Sequence, residues 1–162
     1  MSRRGSLKAW INYYSDMIVN KELANSKGCT QKDKWETPDK IFAPLNREFG
    51  FTLDPCCEIH TAKCGKYFTE AENGLLQDWS GDIVFVNPPY SRGNIDKWME
   101  KCYHESLWGV KVVALIPVSS SAGWWHKYVW KKADIRFYKG RIRFVGAPFT
   151  APFSSCLAIW NP

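Results

Sequence analysis

The residues best suited to chemistry are Asn87-Pro88-Pro89-Tyr90, which follow directly on the apolar run Ile83-Val84-Phe85-Val86. Within four residues they offer a side-chain amide, prolyl carbonyls and the flat face of a tyrosine. Acceptors beside an aromatic plane suit a planar base that carries an exocyclic amine. Two successive prolines fix φ and donate no ladder hydrogen bonds, so the backbone must leave a sheet rigidly here. No histidine and no pair of carboxylates stands close in sequence. That absence fits chemistry that requires no strong general base.

The elements that must position this turn can be read from patterning. Ile83 to Val86 suits a strand buried on both faces, as in a parallel sheet, and ligands of open α/β sheets bind beyond the carboxyl ends of the strands. Phe51-Thr52-Leu53 reads as the first strand, ending at Asp54-Pro55. Lys66 to Thr69 reads as the second, followed by the acids Glu70 and Glu72. Val110 to Pro117 is a further buried strand, and Ser155 to Trp160 closes the sheet. A helix is expected after Glu36, with Thr37 as its cap, Pro38 in the first helical position, and Ile41, Phe42, Leu45 and Phe49 as its apolar stripe. Ile95, Trp98, Met99 and Cys102 mark a second helix, and Ser119 to Lys127 leads into a Trp-rich one. Residues 134–144 alternate apolar and basic, which predicts strands with a packed face and a basic face.

At 162 residues the chain is expected to form one domain over residues 33–162, preceded by a partly helical extension over 1–32. The net charge of +6 suits a polyanionic partner. No run approaches the roughly 18 apolar residues of a membrane helix, and the start lacks a signal-peptide pattern, so a cytoplasmic protein is expected. Cys56, Cys57, His60 and Cys64 lie close together. Yet no C-x2-C pair exists, and adjacent cysteines serve one tetrahedral ion poorly, so reduced thiols and no metal are expected.

Asn87-Pro88-Pro89-Tyr90 resembles the (D/N/S)-P-P-(Y/F/W) motif of amino-methyltransferases. Together with Trp35-Glu36-Thr37-Pro38, Leu53-Asp54-Pro55-Cys56, Lys63-Cys64, Tyr67-Phe68-Thr69 and Trp124-Trp125, it resembles the small phage-type DNA N6-adenine methyltransferases over roughly residues 33–161. The resemblance implies a Rossmann-like fold that uses S-adenosylmethionine, with a mostly parallel sheet and an antiparallel strand near the C-terminus. It implies a cofactor pocket built from Thr37, Pro38, Asp54, Pro55, Cys56, Glu70 (with Glu72 as fallback) and Asp78. The glycine-rich loop usual after the first strand is replaced here by Cys56 to Lys63. On the same resemblance Asn87, Pro88, Pro89 and Tyr90 are catalytic, and the adenine must be flipped out of duplex DNA. Asn87 and the Pro88 carbonyl would accept from the amine while Tyr90 stacks on the base. Arg92, Lys139, Arg141 and Arg143 are the expected phosphate contacts.

Cytosine N4 is an alternative acceptor by the same motif logic, and RNA or a protein amide is a further one. A non-catalytic nucleic-acid-binding module, stapled by zinc through Cys56, His60 and Cys64, is the rival of another class. About 72 residues follow Tyr90. That leaves little room for a separate target-recognition domain, so low sequence selectivity or help from a homodimer partner is expected.

Overall fold

The computed structural model describes residues 31–162 and, before them, Asn12 alone. Apart from Asn12 and residues 31–32, the expected N-terminal extension and its helix lie outside the described residues. The rest is a mixed α/β fold around a six-stranded sheet of order β2-β1-β3-β4-β6-β5. Its strands are β1 (Leu53–Asp54), β2 (Lys66–Tyr67), β3 (Ile83–Val86), β4 (Lys111–Pro117), β5 (Asp134–Phe137) and β6 (Ser155–Trp160). The pairings β1–β2, β1–β3 and β3–β4 are parallel, whereas β6 runs antiparallel to both β4 and β5.

Side-chain alternation along the central strands divides the interior into two cores. Val84, Val86, Val112, Ala114, Ala158 and Trp160 face one side, where helix α2 (Asn94–Leu107) supplies Trp98, Met99 and Cys102. Phe85, Val113, Leu115, Leu157 and Ile159 face the other, against Ile41, Phe42 and Leu45 of helix α1 (Asp39–Phe49). The α2 core also buries an ion pair between Lys101 and Glu105, each almost wholly shielded from solvent. Lys101 further donates to the Gln77 carbonyl at 2.8 Å and lies over the Trp79 ring. Burial pushes the Lys101 pKa down and the Glu105 pKa up. The other contacts of Lys101 offset that desolvation, as a buried pair requires.

Several expectations need correction. Helix α1 begins at Asp39 with Pro38 as its N-cap residue, and Thr37 makes no capping hydrogen bond. The Pro38 carbonyl instead accepts from Ile41 and Phe42 at 2.9 and 3.0 Å. The second strand is only Lys66–Tyr67. The Trp-rich helix shrinks to a single π-helical turn, Trp125–Val129. Trp124 and Trp125 are buried in the α2 core and line neither of the two cavities described below. Regular strand ends at Phe137 rather than running through residue 144. The alternation survives without a ladder, because Ile142 and Phe144 are buried while Lys139, Arg141 and Arg143 stay exposed.

Candidate active site

The strand order fixes where a ligand can enter. From β1 the chain moves outward to β2, then crosses back over β1 to β3. The direction of winding thus reverses between β1 and β3, and a crevice opens beyond their carboxyl ends. Asp54 terminates β1, and Asn87 is the first residue after β3. A cavity of about 440 Å³ lies there, within the ordinary range for a cofactor-sized ligand.

Of the expected cofactor residues, Thr37, Asp54, Pro55, Cys56 and Glu70 line this cavity. Asp54 is buried, and its two oxygens accept from the backbone N–H groups of Cys56 at 3.3 Å and Lys63 at 3.0 Å. Its carboxylate therefore organises the loop that stands where a glycine-rich turn was missing. Burial raises the Asp54 pKa, and the backbone donors only partly oppose that shift. Thr37 is 2% exposed, and its hydroxyl has no hydrogen-bond partner. A buried, unsatisfied hydroxyl in a cavity wall is a waiting contact for a polar ligand.

Three expected residues are placed otherwise. Asp78 is exposed, lines no cavity, and accepts from the Ser80 N–H at 2.8 Å. Pro38 is buried at the start of α1, outside the lining. The fallback Glu72 is engaged by the N–H and hydroxyl of Thr69 instead. Trp79, beside Asp78, is fully buried and donates its indole N–H to the Gly74 carbonyl at 3.0 Å. Sequence reasoning also missed the segment Asn73-Gly74-Leu75, which lines the cavity opposite Pro55. A Cβ on Gly74 would lie 2.0 Å from the Pro55 carbonyl oxygen. Only glycine lets these two walls approach so closely.

A second cavity, about 650 Å³, adjoins the first. Its walls include Trp35, Tyr90 and Phe153, an aromatic surface suited to a flat ring. Asp33 and Trp35 belong to both cavities, and the Asn-Pro-Pro-Tyr turn serves both as well. Asn87 and Pro89 face the first cavity and Tyr90 faces the second, while Pro88 is buried between them and lines neither.

Hydrogen bonds hold this junction. Asn87 Nδ2 donates to the Trp35 carbonyl at 2.9 Å, which orients the amide. The Tyr90 hydroxyl lies 2.7 Å from Asn87 Oδ1 and 2.8 Å from the Leu115 carbonyl. Burial pushes the Tyr90 pKa far up, so the hydroxyl remains a donor. Asp33 Oδ1 accepts from the Ser91 N–H at 3.0 Å, and Val145 N–H donates to the Glu36 carbonyl at 3.0 Å. Residues 33–36 thus strap the Asn-Pro-Pro-Tyr turn to the C-terminal loops. Nothing in their composition announced that role, apart from the Trp35-Glu36-Thr37-Pro38 string.

The expected DNA contacts Arg92, Lys139, Arg141 and Arg143 are exposed and outside both cavities. No group of His, Cys, Asp or Glu that could hold a metal occurs among the described residues. There too, no helix is long and apolar enough to cross a membrane.

A cofactor-sized cavity and an aromatic one meet at an amide-bearing turn, a geometry suited to bringing two ligands together. The comparisons with known proteins make the class specific. Residues 25–156 match the sequence model of the Dam family, described as DNA N-6-adenine-methyltransferase. The chain belongs to that family and is an adenine-specific DNA methyltransferase. It is 32% identical over 120 residues to the DNA N-6-adenine-methyltransferase of Haemophilus phage HP1, covering 72% of this chain and 68% of that protein. A protein of Escherichia coli (strain K12) named as a methyltransferase, YfdM, is 43% identical over 89 residues, or 49% of this chain and 96% of the relative. The DNA N-6-adenine-methyltransferase of Escherichia phage T1 is 26% identical over 113 residues, 64% of this chain and 47% of that protein.

Proposed function

We propose that this methyltransferase binds S-adenosylmethionine in the cavity at the β1/β3 switch point. The target adenine, flipped from DNA, enters the aromatic cavity beside it. The observation that carries this reading is the shared wall: Asp33, Trp35 and the Asn87–Tyr90 turn serve both cavities. The sheet order, with its reversal at that point, supports a Rossmann-like methyltransferase fold.

The first cavity fits the cofactor on three counts. Thr37 offers an unsatisfied hydroxyl, Asp54 a buried carboxylate, and Gly74 the close approach that shapes the wall. Asp54 would hold the cationic methionine end, and Glu70 would accept from ribose hydroxyls. When bound, the sulfonium supplies an activated methyl group.

The protein's own work is alignment and polarisation of the amine. Adenine N6 is a weak nucleophile because its lone pair is delocalised into the ring. Asn87 Oδ1 has two lone pairs, and the Tyr90 hydroxyl uses one. The other would accept an amino hydrogen, while Pro88, expected as the second acceptor, is buried between the cavities and serves to hold the turn rigid. As the nitrogen gains positive charge in the transition state, the Asn87 oxygen binds it more tightly than in the ground state. Trp35, Tyr90 and Phe153 would exclude water and sandwich the base. Arg92, Lys139, Arg141 and Arg143 would neutralise phosphates, giving salt-dependent binding.

The test uses DNA, methyl-labelled S-adenosylmethionine, and mass identification of the modified nucleoside. N6-methyladenine from the native protein and none from Asn87→Ala, with cofactor affinity largely kept, is the expected result. Near-full transfer by Asn87→Ala would overturn the assignment.

A further inference from the structure

Phe149 is the most exposed large apolar side chain among the described residues, at 79% of its full surface. Its surroundings set it apart from an ordinary surface residue. Ala147 and Ala151 are buried, and the Ala151 N–H donates to the Ile142 carbonyl at 2.7 Å. Between these two anchors only Pro148, Phe149 and Thr150 stand out into solvent. The result is a short, pinned tip rather than a slack loop, and it stands at the rim of the aromatic cavity. The strand-like lead-in to that tip exposes Arg141 and Arg143, neither of which has an ion-pair partner among the described residues. A rigid apolar wedge flanked by unpaired guanidinium groups complements one kind of partner, a stacked and polyanionic duplex.

We propose that the Pro148-Phe149-Thr150 tip enters double-stranded DNA at the target site, with the Phe149 ring filling the gap in the stack left by the departing adenine. This rests on the base-flipping reading above. It adds the group that holds the duplex open while Tyr90 and Trp35 receive the base. Withdrawing a base leaves its neighbours unstacked, at a cost of a few kcal/mol, and least where the base is already unpaired. An aromatic ring placed between those neighbours recovers part of the lost stacking. Phe149 is then a positioning residue for duplex substrates, whereas a single strand has no gap for it to fill.

The experiment compares native protein with Phe149→Ala on three substrates: duplex DNA, the same strand alone, and a duplex with an abasic site opposite the target adenine. In Phe149→Ala the ratio of duplex to single-strand turnover should fall about 5- to 150-fold, the range for losing one base–aromatic stack. The abasic duplex should restore most of that ratio, because its target base is already unpaired. An unchanged ratio, or an abasic duplex as poor as the intact one, would overturn the proposal. So would a fall in thermal stability large enough to explain the loss. The native protein's single-strand activity reports separately on the parent reading. If it transfers no methyl to any of the three substrates, the base-flipping reading falls and takes the wedge with it.

Discussion

An alanine at position 74 would put its Cβ 2.0 Å from the carbonyl oxygen of Pro55, 2.9 Å from its carbonyl carbon and 3.1 Å from its Cβ. The first two contacts are with backbone, so no side chain can swing aside. Ordinary contact begins near 3.4 Å, and one of the two chain segments must therefore retreat by more than an ångström. Both segments are walls of the cavity proposed to hold the cofactor. Forcing an extra carbon into a close-packed site typically costs about 1–3 kcal/mol. If the strain is relieved by opening the cavity, it appears as cofactor affinity lowered roughly 5- to 150-fold. If it is not relieved, it appears as lost stability of the same size. Isothermal titration with S-adenosylmethionine and denaturant unfolding of the free protein separate the two. Gly65→Ala is the control, since its Cβ would meet nothing within 4 Å and its φ lies outside the left-handed region. That change should stay within about 0.5 kcal/mol of native. A Gly74→Ala protein with native stability and a Kd within twofold of native would refute the argument.

Thr37→Val replaces the unsatisfied hydroxyl by a methyl group of similar shape, so the free protein should keep or gain stability. Cofactor affinity should nonetheless fall about 2- to 12-fold, as for one lost hydrogen bond, and an unchanged Kd would show that the hydroxyl meets no ligand. Tyr90→Phe keeps the ring and removes the donor to Asn87 Oδ1, so kcat should drop by a similar factor while KM for DNA holds. A loss confined to KM would contradict that role. Burial raises the Asp54 pKa, and only its ionised form would hold a cationic ligand. Affinity for S-adenosylmethionine should therefore be complete above that raised pKa and decline as pH falls through it, beginning at higher pH than an ordinary aspartate would allow. Titrations across the acidic range should show proton release on binding that disappears in Asp54→Asn; the same slope in both proteins would exclude Asp54 as its source.

The sequence was most informative where a residue's neighbours along the chain decide its environment. The apolar run Ile83–Val86 and the double proline after it define a buried strand and a rigid exit without help from distant residues. Closing strand Ser155–Trp160 was legible for the same reason, as a largely apolar segment of strand length. Thr37 was misread because the local signal for a cap was present, but Pro38 occupies the cap position and leaves the hydroxyl buried. Asp78 looked like a ligand by its place in a motif, yet a local turn to Ser80 uses its carboxylate. Gly74 carried no signal at all. Its importance arises only when residues 73–75 are folded against Pro55, a contact between segments nineteen positions apart.

Asp33 and Trp35 pose the sharper version of that problem, since their role depends on three separate parts of the chain. Asp33 reaches the Ser91 backbone, the Trp35 carbonyl receives the Asn87 amide, and the Trp35 ring lies 6.0 Å from Phe144 and nearly parallel to it. Transfer between two bound molecules requires that they meet at one point yet be held by different surfaces. A single turn cannot supply both surfaces, because Asn87 and Tyr90 are only three residues apart and their side chains are tied together. A second segment must divide the space on either side of them. Here the stretch just before α1 does so, anchored to the turn on one side and to the C-terminal loops on the other. The amide that would accept from the amine is thus oriented by the same backbone that divides the two cavities. Alignment of the reaction and division of the cavities depend on one set of hydrogen bonds, so loosening that strap should harm both together.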